Sequence, residues 1–169
     1  MIQAYACSAA RKTAAIAAAL AVWLFLASYA CAAADEAHYT TGFLSAQEQE
    51  AGNLLNSDRS RYNLAPLTLD PALCRIARIK SQDMLSGGYF AHTSPTYGDV
   101  RDMLTHFGYN YSAAGENIAR YETLEKAQAA LLSSPGHRRN ILSSAYTKFG
   151  VGVALTAQGH IYLTQIFVR

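Results

Sequence analysis

Two histidines and one glutamate carry the clearest chemistry in this sequence. His92 follows two aromatic rings and precedes a proline-containing turn, Glu116 enters an apolar run, and His137 stands near a predicted helix start. A single histidine in such a setting is more often structural than functional. Three polar groups in three such segments together predict a shared cleft.

Three kinds of chemistry are open to this set. Two neutral imidazoles and a carboxylate can bind a zinc ion and leave a fourth position for water or a ligand. Without a metal the same groups can transfer protons, because histidine titrates near neutral pH and a carboxylate can orient it. They can also form a buried hydrogen-bond network that only stabilises the fold, with Asn117 and Asn140 as partners.

Ser94 is the one candidate nucleophile near these groups. It lies two residues after His92, a spacing that does not by itself present the hydroxyl to that imidazole. The sequence also lacks the G-x-S-x-G turn of many serine hydrolases. We therefore expect Ser94 to shape the turn that contains Pro95, at the edge of the predicted cleft.

The elements that must position these residues begin with helices. Ser45 and Glu48 form a capping box that starts the first helix, and Asn63 suits the left-handed residue that ends it. A second helix starts at Asp70-Pro71 and stops at Gly87-Gly88. Further helices are predicted over Val100–His106 and Leu124–Ser133.

Strands follow in the second half of the chain. Residues 115–121 alternate as in a strand, and residues 149–155 and 161–168 form two closing strands joined by a turn at Gln158-Gly159. Gly150 and Gly152 predict close packing or a bulge at a strand start. Helices first and strands last indicate an α+β domain with helices covering a small antiparallel sheet.

Two features of the second helix bear on its packing. Arg75, Arg78 and Lys80 predict a solvated face, with Asp83 nearby. Cys74 lies in the apolar, helix-periodic part of the same segment. We expect a buried structural thiol there rather than a reactive one.

The N-terminal segment has the composition of an export signal. Arg11-Lys12 precede an uncharged run over residues 13–34 that ends in small residues matching an A-x-A cleavage site. This pattern predicts a signal peptide over residues 1–34, although an uncleaved membrane anchor stays open. Lipidation at Cys31 is disfavoured by the residues before it. Residues 35–44 then form a short tether to a domain over 45–169.

Charge and cysteine content exclude several classes of function. Outside Arg11-Lys12, Lys and Arg number 12 and equal the 12 Asp and Glu residues. This balance argues against nucleic acid and anionic membrane surfaces as partners. Cys7 and Cys31 fall in the predicted leader, so Cys74 alone remains and packing, not disulfide bonding, must hold the domain together.

The motifs, taken in order, resemble the bacterial CAP superfamily, also called SCP-like extracellular proteins. The resemblance runs from about residue 51 to residue 167 and includes Leu64-Ala65-Pro66-Leu67, the histidine and glutamate segments and Gly150-Val151-Gly152. It further includes Ser134-Pro135-Gly136-His137-Arg138, and Thr164-Gln165 near the end. Each piece alone is weak, but together and in register they are highly specific.

The resemblance implies an α-β-α sandwich with a large surface cleft. In this family the cleft is lined by two histidines and two acids that can hold a divalent metal such as zinc. His92 and Glu116 match two of these positions, and His137 matches the histidine of the bacterial branch.

This chain departs from the family at three positions. Tyr162-Leu163 replace the histidine segment before Thr164-Gln165, and His160 lies further back on the turn. Ser133-Ser134 occupy the region of the second acid, and Leu131 stands where the bacterial branch usually has tryptophan.

The expected function is that of an exported ligand-binding module whose cleft takes a lipid, a glycan or a peptide. The metal ligands are expected to be His92, Glu116 and His137, with zinc or another divalent ion as the cofactor. The predicted cleft residues are His92, Ser94, Glu116, Asn117, His137, Tyr162 and Gln165. The alternative is a hydrolase of peptides or cell-envelope polymers that uses the same trio as acid and base.

Overall fold

The computed structural model describes residues 44–169. The predicted leader over residues 1–34, and the predicted tether apart from Leu44, lie outside the described residues. Within residues 44–169, no helix has both the length and the apolar character needed to cross a bilayer.

Five helices and four strands make up the described domain. The helices are α1 Ala46–Arg61, α2 Pro71–Ser86, α3 Val100–His106, α4 Leu124–Ser133 and α5 Pro135–Ile141. The strands are β1 Thr68–Leu69, β2 Ala114–Tyr121, β3 Lys148–Leu155 and β4 Ile161–Val168, in the sheet order β1-β3-β4-β2.

Local chemistry sets the helix ends. The Ser45 hydroxyl accepts a hydrogen bond from the Glu48 amide, and the Glu48 carboxylate accepts one from the Ser45 amide, which confirms the predicted capping box. The Asp70 carboxylate accepts from the first amides of α2, so the second predicted start is also confirmed. Asn63 adopts the expected left-handed conformation, with φ of 56°.

Alternation along β4 divides the core into two layers. The odd-numbered apolar residues of β4 pack in the cluster that includes residues of α1 and α4, whereas its even-numbered residues pack with α2 and α3. Helices therefore cover both faces of the sheet, and the α-β-α sandwich is confirmed.

Two details of the architecture differ from the sequence-based expectation. The sheet is mixed, because the two-residue strand β1 pairs parallel with β3, while β3 and β2 pair antiparallel with β4. A segment of two residues is too short to give a periodic signal. Helix α5 also begins at Pro135, directly after α4 ends, since proline is well suited to the first turn of a helix.

Close packing of α2 on β3 depends on two glycines. A Cβ on Gly150 would overlap the backbone of Leu73, and a Cβ on Gly152 would overlap the backbone between Ala77 and Arg78. The predicted close packing at these glycines is confirmed, and it brings the backbone of α2 directly onto the sheet.

The basic face predicted for α2 is wrong for two of its three members. Arg78 and Lys80 are buried, whereas Arg75 is half-buried and stacks on the Phe107 ring. The Arg78 guanidinium donates to both carboxylate oxygens of the buried Glu48 at 2.6 Å. This geometry is bidentate, which is how a buried guanidinium is best compensated.

Cys74 is a buried structural residue, as expected. Its thiol is fully enclosed, and burial raises its pKa to about 12. The Sγ atom accepts a hydrogen bond from the Val151 amide at 3.3 Å. A thiol in this state is neither a nucleophile nor a metal ligand at neutral pH.

A pair of Gly-to-Ala substitutions tests the contact between α2 and β3. We expect Gly152→Ala to lower the free energy of unfolding by about 3 kcal/mol or more, because the new methyl group meets main-chain atoms that cannot rotate away. Gly136→Ala is the matched control, since its Cβ would enter open space in α5 and should leave stability unchanged or raise it by up to about 1 kcal/mol. Urea unfolding measures both values, and equal midpoints would contradict the close contact.

Candidate functional site

The three predicted residues gather at strand β2, which forms one edge of the sheet. Residues 116 and 117 pair with residues 166 and 165 of β4 and therefore point to opposite faces. Glu116 points to the α2 face, and Asn117 points to the face covered by α4 and α5. A site at this edge can thus draw side chains from both layers of helices.

His92 and Glu116 are in direct contact. His92 Nδ1 lies 2.7 Å from Glu116 Oε1, and the side chains are 55% and 3% exposed respectively. The hydrogen bond to the carboxylate is the main cause of a raised His92 pKa, which burial partly offsets. Glu116 Oε2 is buried and has no hydrogen-bond partner among the described residues.

Helix α2 holds the loop that carries His92. The buried Lys80 ammonium donates to the His92 carbonyl at 2.9 Å. One turn further along, the Asp83 carboxylate accepts hydrogen bonds from the hydroxyls of Tyr89 and Ser94. Lys80 and Asp83 are three residues apart and share a face of α2, so this helix positions His92 against Glu116. Sequence reasoning missed this role, although the i, i+3 spacing was a usable signal.

Ser94 has a local structural role. Its hydroxyl donates to Asp83 Oδ2 at 2.7 Å and accepts from the amides of Thr96 and Tyr97 at 3.0 and 2.9 Å. The expectation that Ser94 shapes the turn is confirmed. Because the side chain is buried and its bonds are already used, Ser94 lies under the loop and does not face the cleft.

His137 reaches the site from α5 on the opposite face. Its ring centroid lies 6.2 Å from that of His92. Burial lowers the His137 pKa, and the nearby charge of His92 lowers it further. The two histidines therefore have pKa values shifted in opposite directions from the ordinary value.

A row of hydrogen-bonded side chains, all buried except the half-buried Asn140, fixes the position of α5 relative to β2. Its members are Asp58, Gln128, Gln165, Asn117 and Asn140. The four successive contacts measure 2.8, 2.7, 3.1 and 2.9 Å. These side chains link α1 to α4, then to strands β4 and β2, and finally to α5.

The same row of hydrogen-bonded side chains also fixes the position of the site's main chain. Asn117 donates to the His137 carbonyl at 3.2 Å, and Asn140 donates to the Glu116 carbonyl at 3.1 Å. Asn117 and Gln165, both predicted to line the cleft, are fully buried and instead support it from below.

A cavity of about 300 Å³ opens beside His137 along β2. Phe90 borders it from the His92 loop, and Ala130, Leu131 and Ser134 border it from α4 and the residue after it. The remaining lining comes from His137 and from four consecutive β2 residues, Ile118, Ala119, Arg120 and Tyr121.

Tyr162 was predicted to line the cleft, and the structure places it beneath the cavity wall. Its side chain is buried, and its ring makes an edge contact with Phe90 at 6.2 Å between centroids. The Arg120 guanidinium stacks over the Tyr162 ring at 5.0 Å. Tyr162 therefore orients two residues that do border the cavity.

The residue types suit a divalent metal, but the described groups are not arranged as a ready site. No three His, Cys, Asp or Glu side chains within residues 44–169 converge on one point in the manner of metal ligands. His92 Nδ1 and Glu116 Oε1 face each other rather than a common centre. Glu116 Oε2, which is buried without a hydrogen-bond partner among the described residues, is the atom of this group best suited to contact a cation.

One family model covers nearly the whole of the described domain. The model of the cysteine-rich secretory protein family, abbreviated CAP, matches residues 53–167. This chain belongs to that family. The match spans all of the segments on which the resemblance was based, so the prediction from the motifs is confirmed.

The relatives of this CAP protein include two proteins of Bacillus subtilis. Protein YkwD is 45% identical over 130 residues, which make up 75% of this chain and 51% of YkwD. Membrane protein YlbC is 37% identical over 123 residues, or 72% of this chain and 34% of YlbC. The CAP chain thus spans about half the length of the first relative and a third of the second.

Solved structures place the CAP fold in other bacterial proteins. An extracellular protein containing an SCP domain from Bacillus anthracis is 34% identical with a TM-score of 0.66, over 76% of this chain and 45% of that one. An outer surface protein from Borrelia burgdorferi is 16% identical with a TM-score of 0.68, over 75% and 96% of the two chains. The second likeness shows the fold alone.

The opposite pKa shifts of the two histidines can be measured by NMR titration. We expect the His92 pKa to lie above the ordinary histidine value and to fall in Glu116→Gln, which removes the charge that stabilises the imidazolium. The His137 pKa should lie below the ordinary value in the wild type. Identical titration of His92 in the wild type and in Glu116→Gln would contradict the contact.

The same shifts predict opposite effects of pH on stability. The folded pKa of His92 is raised, so its stabilising contribution is present below the unfolded pKa and is lost as pH rises through the folded pKa. The folded pKa of His137 is lowered, so its contribution is present above the unfolded pKa and is lost as pH falls through the folded pKa.

Melting temperatures measured between pH 5 and 8 test these two contributions separately. We expect His92→Ala to lose more stability at the acidic end of this range than at the alkaline end, because the imidazolium contact with Glu116 is removed. His137→Ala should destabilise less on acidification than the wild type does, because no half-buried imidazole then has to be protonated. Parallel pH profiles in all three proteins would contradict both assignments.

Proposed function

We propose that this CAP protein is an exported ligand-binding module whose binding site is the cavity beside His137. The observation that carries the proposal is the position of that cavity, whose lining includes His137, and the His137 ring lies 6.2 Å from the ring of His92, the partner of Glu116. Its volume of about 300 Å³ is at the lower end of the range for small-ligand sites. Apolar walls and a few polar groups are the usual lining of such sites.

Support for export comes from the sequence and from one relative. The leader-like pattern over residues 13–34 is typical of proteins sent across a membrane. The Bacillus anthracis protein with a similar SCP domain is described as extracellular. A fold held by packing, without disulfides, can function on either side of a membrane, so the leader pattern carries this part of the proposal.

A pair of alanine-to-tryptophan variants tests the binding site. Ala130 borders the cavity, whereas the neighbouring Ala129 is exposed on the same helix and does not border it. We expect Ala130→Trp to abolish binding of whichever probe the wild type takes, because the indole fills the cavity, and we expect Ala129→Trp to leave binding unchanged. Three probes cover the expected classes: a fluorescent fatty acid, chitin oligosaccharides and an array of acetylated hexapeptides.

Two results would contradict this proposal. The first is a wild type that binds none of the three probe classes in fluorescence, calorimetry or array measurements. The second is a probe that binds Ala130→Trp and the wild type equally well, which would place its site elsewhere on the molecule.

A divalent metal such as zinc is the second part of the proposal. Glu116, through its unpartnered Oε2, and the rings of His92 and His137 would hold it. Bound there, zinc would offer an electrophilic position to a ligand oxygen. The protein residues would continue to orient the ligand through the cavity wall.

Calorimetric titration with zinc tests the metal directly. We expect the wild type to bind one equivalent and the double variant His92→Ala/His137→Ala to bind at least about tenfold more weakly. The matched control, His106→Ala/His160→Ala, removes two histidines that lie on the surface outside the site. Equal zinc affinity in the wild type and the His92/His137 variant would refute the metal part and leave the ligand proposal intact.

A further inference from the structure

The outer edge of β2 carries backbone groups that the sheet does not use. The Arg169 amide donates to the Ala113 carbonyl at 3.0 Å, which shows that odd-numbered residues here bond toward β4. The Glu116 carbonyl instead accepts from the Asn140 side chain, so even-numbered residues point outward. Because strand residues alternate in this way, Ile118 and Arg120 direct their amides and carbonyls away from the sheet.

These outward groups have no partner among residues 44–169. The hydrogen bonds outside the strand ladders include none to the backbone of Ile118 or Arg120. Ile118 is only 5% exposed, and both residues border the cavity, so the cavity is the route by which a partner reaches these groups. Unpaired backbone amides and carbonyls at a strand edge favour a ligand that can form hydrogen bonds with them.

The cavity walls select among possible partners. Phe90 and Leu131 supply apolar surface on either side of the strand edge. The exposed Arg120 guanidinium stacks on Tyr162 and has no carboxylate partner among the described residues. An acyl chain would leave the backbone groups unpaired, and a glycan does not repeat donors and acceptors at strand spacing. An extended peptide satisfies both requirements.

We propose that the cavity binds an extended peptide segment that adds as a short strand to β2. The segment pairs with the outward backbone groups of Ile118 and Arg120, places one apolar side chain between Phe90 and Leu131, and presents one carboxylate to Arg120. Asn140 already caps the Glu116 carbonyl, so the free edge ends there and about three or four ligand residues fill it. This assignment rests on the proposed ligand-binding function and names its ligand class.

The first experiment uses an array of N-acetylated, C-amidated hexapeptides that carry one Leu and one Glu at every relative spacing in a Ser/Thr background. The strongest binder is then made in two forms, N-methylated at alternate residues in one register or the other. We expect one form to lose at least about tenfold in affinity for the full-length chain and the other to retain it, because only one set of amides faces β2. Loss in both forms, or in neither, would overturn the strand pairing.

Amide hydrogen exchange gives a readout specific to the strand edge. In the full-length chain without peptide, the amides of Ile118 and Arg120 should exchange faster than those of Asn117 and Ala119, which bond to β4. Saturating peptide should slow the first pair at least about tenfold and leave the second pair unchanged. Equal slowing of all four amides would indicate general stabilisation and contradict the inference.

A charge cycle tests the role assigned to Arg120. Arg120→Gln should weaken the Glu-containing peptide about tenfold and leave its Gln-containing analogue unaffected. Arg139→Gln, an exposed arginine that does not border this cavity, is the matched control and should change neither affinity. Equal losses for both peptides with Arg120→Gln would remove the carboxylate contact from the inference.

Failure of this inference can be told apart from failure of the proposed function. If no hexapeptide binds while the fatty acid or the oligosaccharide binds and is blocked by Ala130→Trp, the peptide assignment is wrong and the ligand-binding function stands. If none of the three probe classes binds the wild type, both fail together.

Discussion

The contact between α2 and β3 is the constraint on which the site depends. Gly150 and Gly152 let the helix backbone lie directly on the sheet. At this distance Lys80 and Asp83 hydrogen-bond to the loop that carries His92. Any side chain at either glycine would lift α2 and move both anchors with it. The position of His92 against Glu116 therefore depends in part on two residues that carry no side chain.

The opposite layer positions its half of the site by different means. There a row of hydrogen-bonded side chains runs from Asp58 to Asn140, and each amide in it donates to the residue before it, beginning with Gln128, which donates to the Asp58 carboxylate. Such a network is favourable only when it is complete, since an unpaired amide in a low-dielectric interior costs more than the bond contributes. It therefore specifies one arrangement of α4, α5 and β2, and His137 is held by that arrangement.

One polar atom at the junction of the two layers is left without a partner. Glu116 Oε2 is buried and has no hydrogen-bond partner among the described residues. The Lys80 ammonium interacts with the Glu116 charge through space. The site thus keeps a buried charge beside an open cavity.

Sequence reasoning succeeded where short-range chemistry decides structure. Capping by Ser45 and Asp70 and the left-handed Asn63 act within one or two turns of chain, and each was predictable. The convergence of the His92, Glu116 and His137 segments followed from their motifs, whereas their atomic pairing depends on how α2 and α5 dock on opposite faces.

The wrong prediction for Arg78 and Lys80 also has a long-range cause, since nothing local distinguishes the basic residues that turn inward from those on a solvated face. Burial of Arg78 depends on a partner 30 residues upstream, and burial of Lys80 depends on the His92 loop. Likewise, the edge position of β2 depends on its pairing with β4, a distant segment that periodicity cannot reveal.

An open strand edge is a hazard for a protein of this composition. Outside Arg11-Lys12 the charges of the chain balance, so general electrostatic repulsion does little to keep copies apart. The structure restricts the edge by other means: Asn140 closes it at Glu116, and the free groups of Ile118 lie recessed between Phe90 and Leu131. A flat strand of a second copy cannot enter such a recess, whereas a narrow peptide segment can. The same walls that protect the edge from aggregation therefore also give it selectivity.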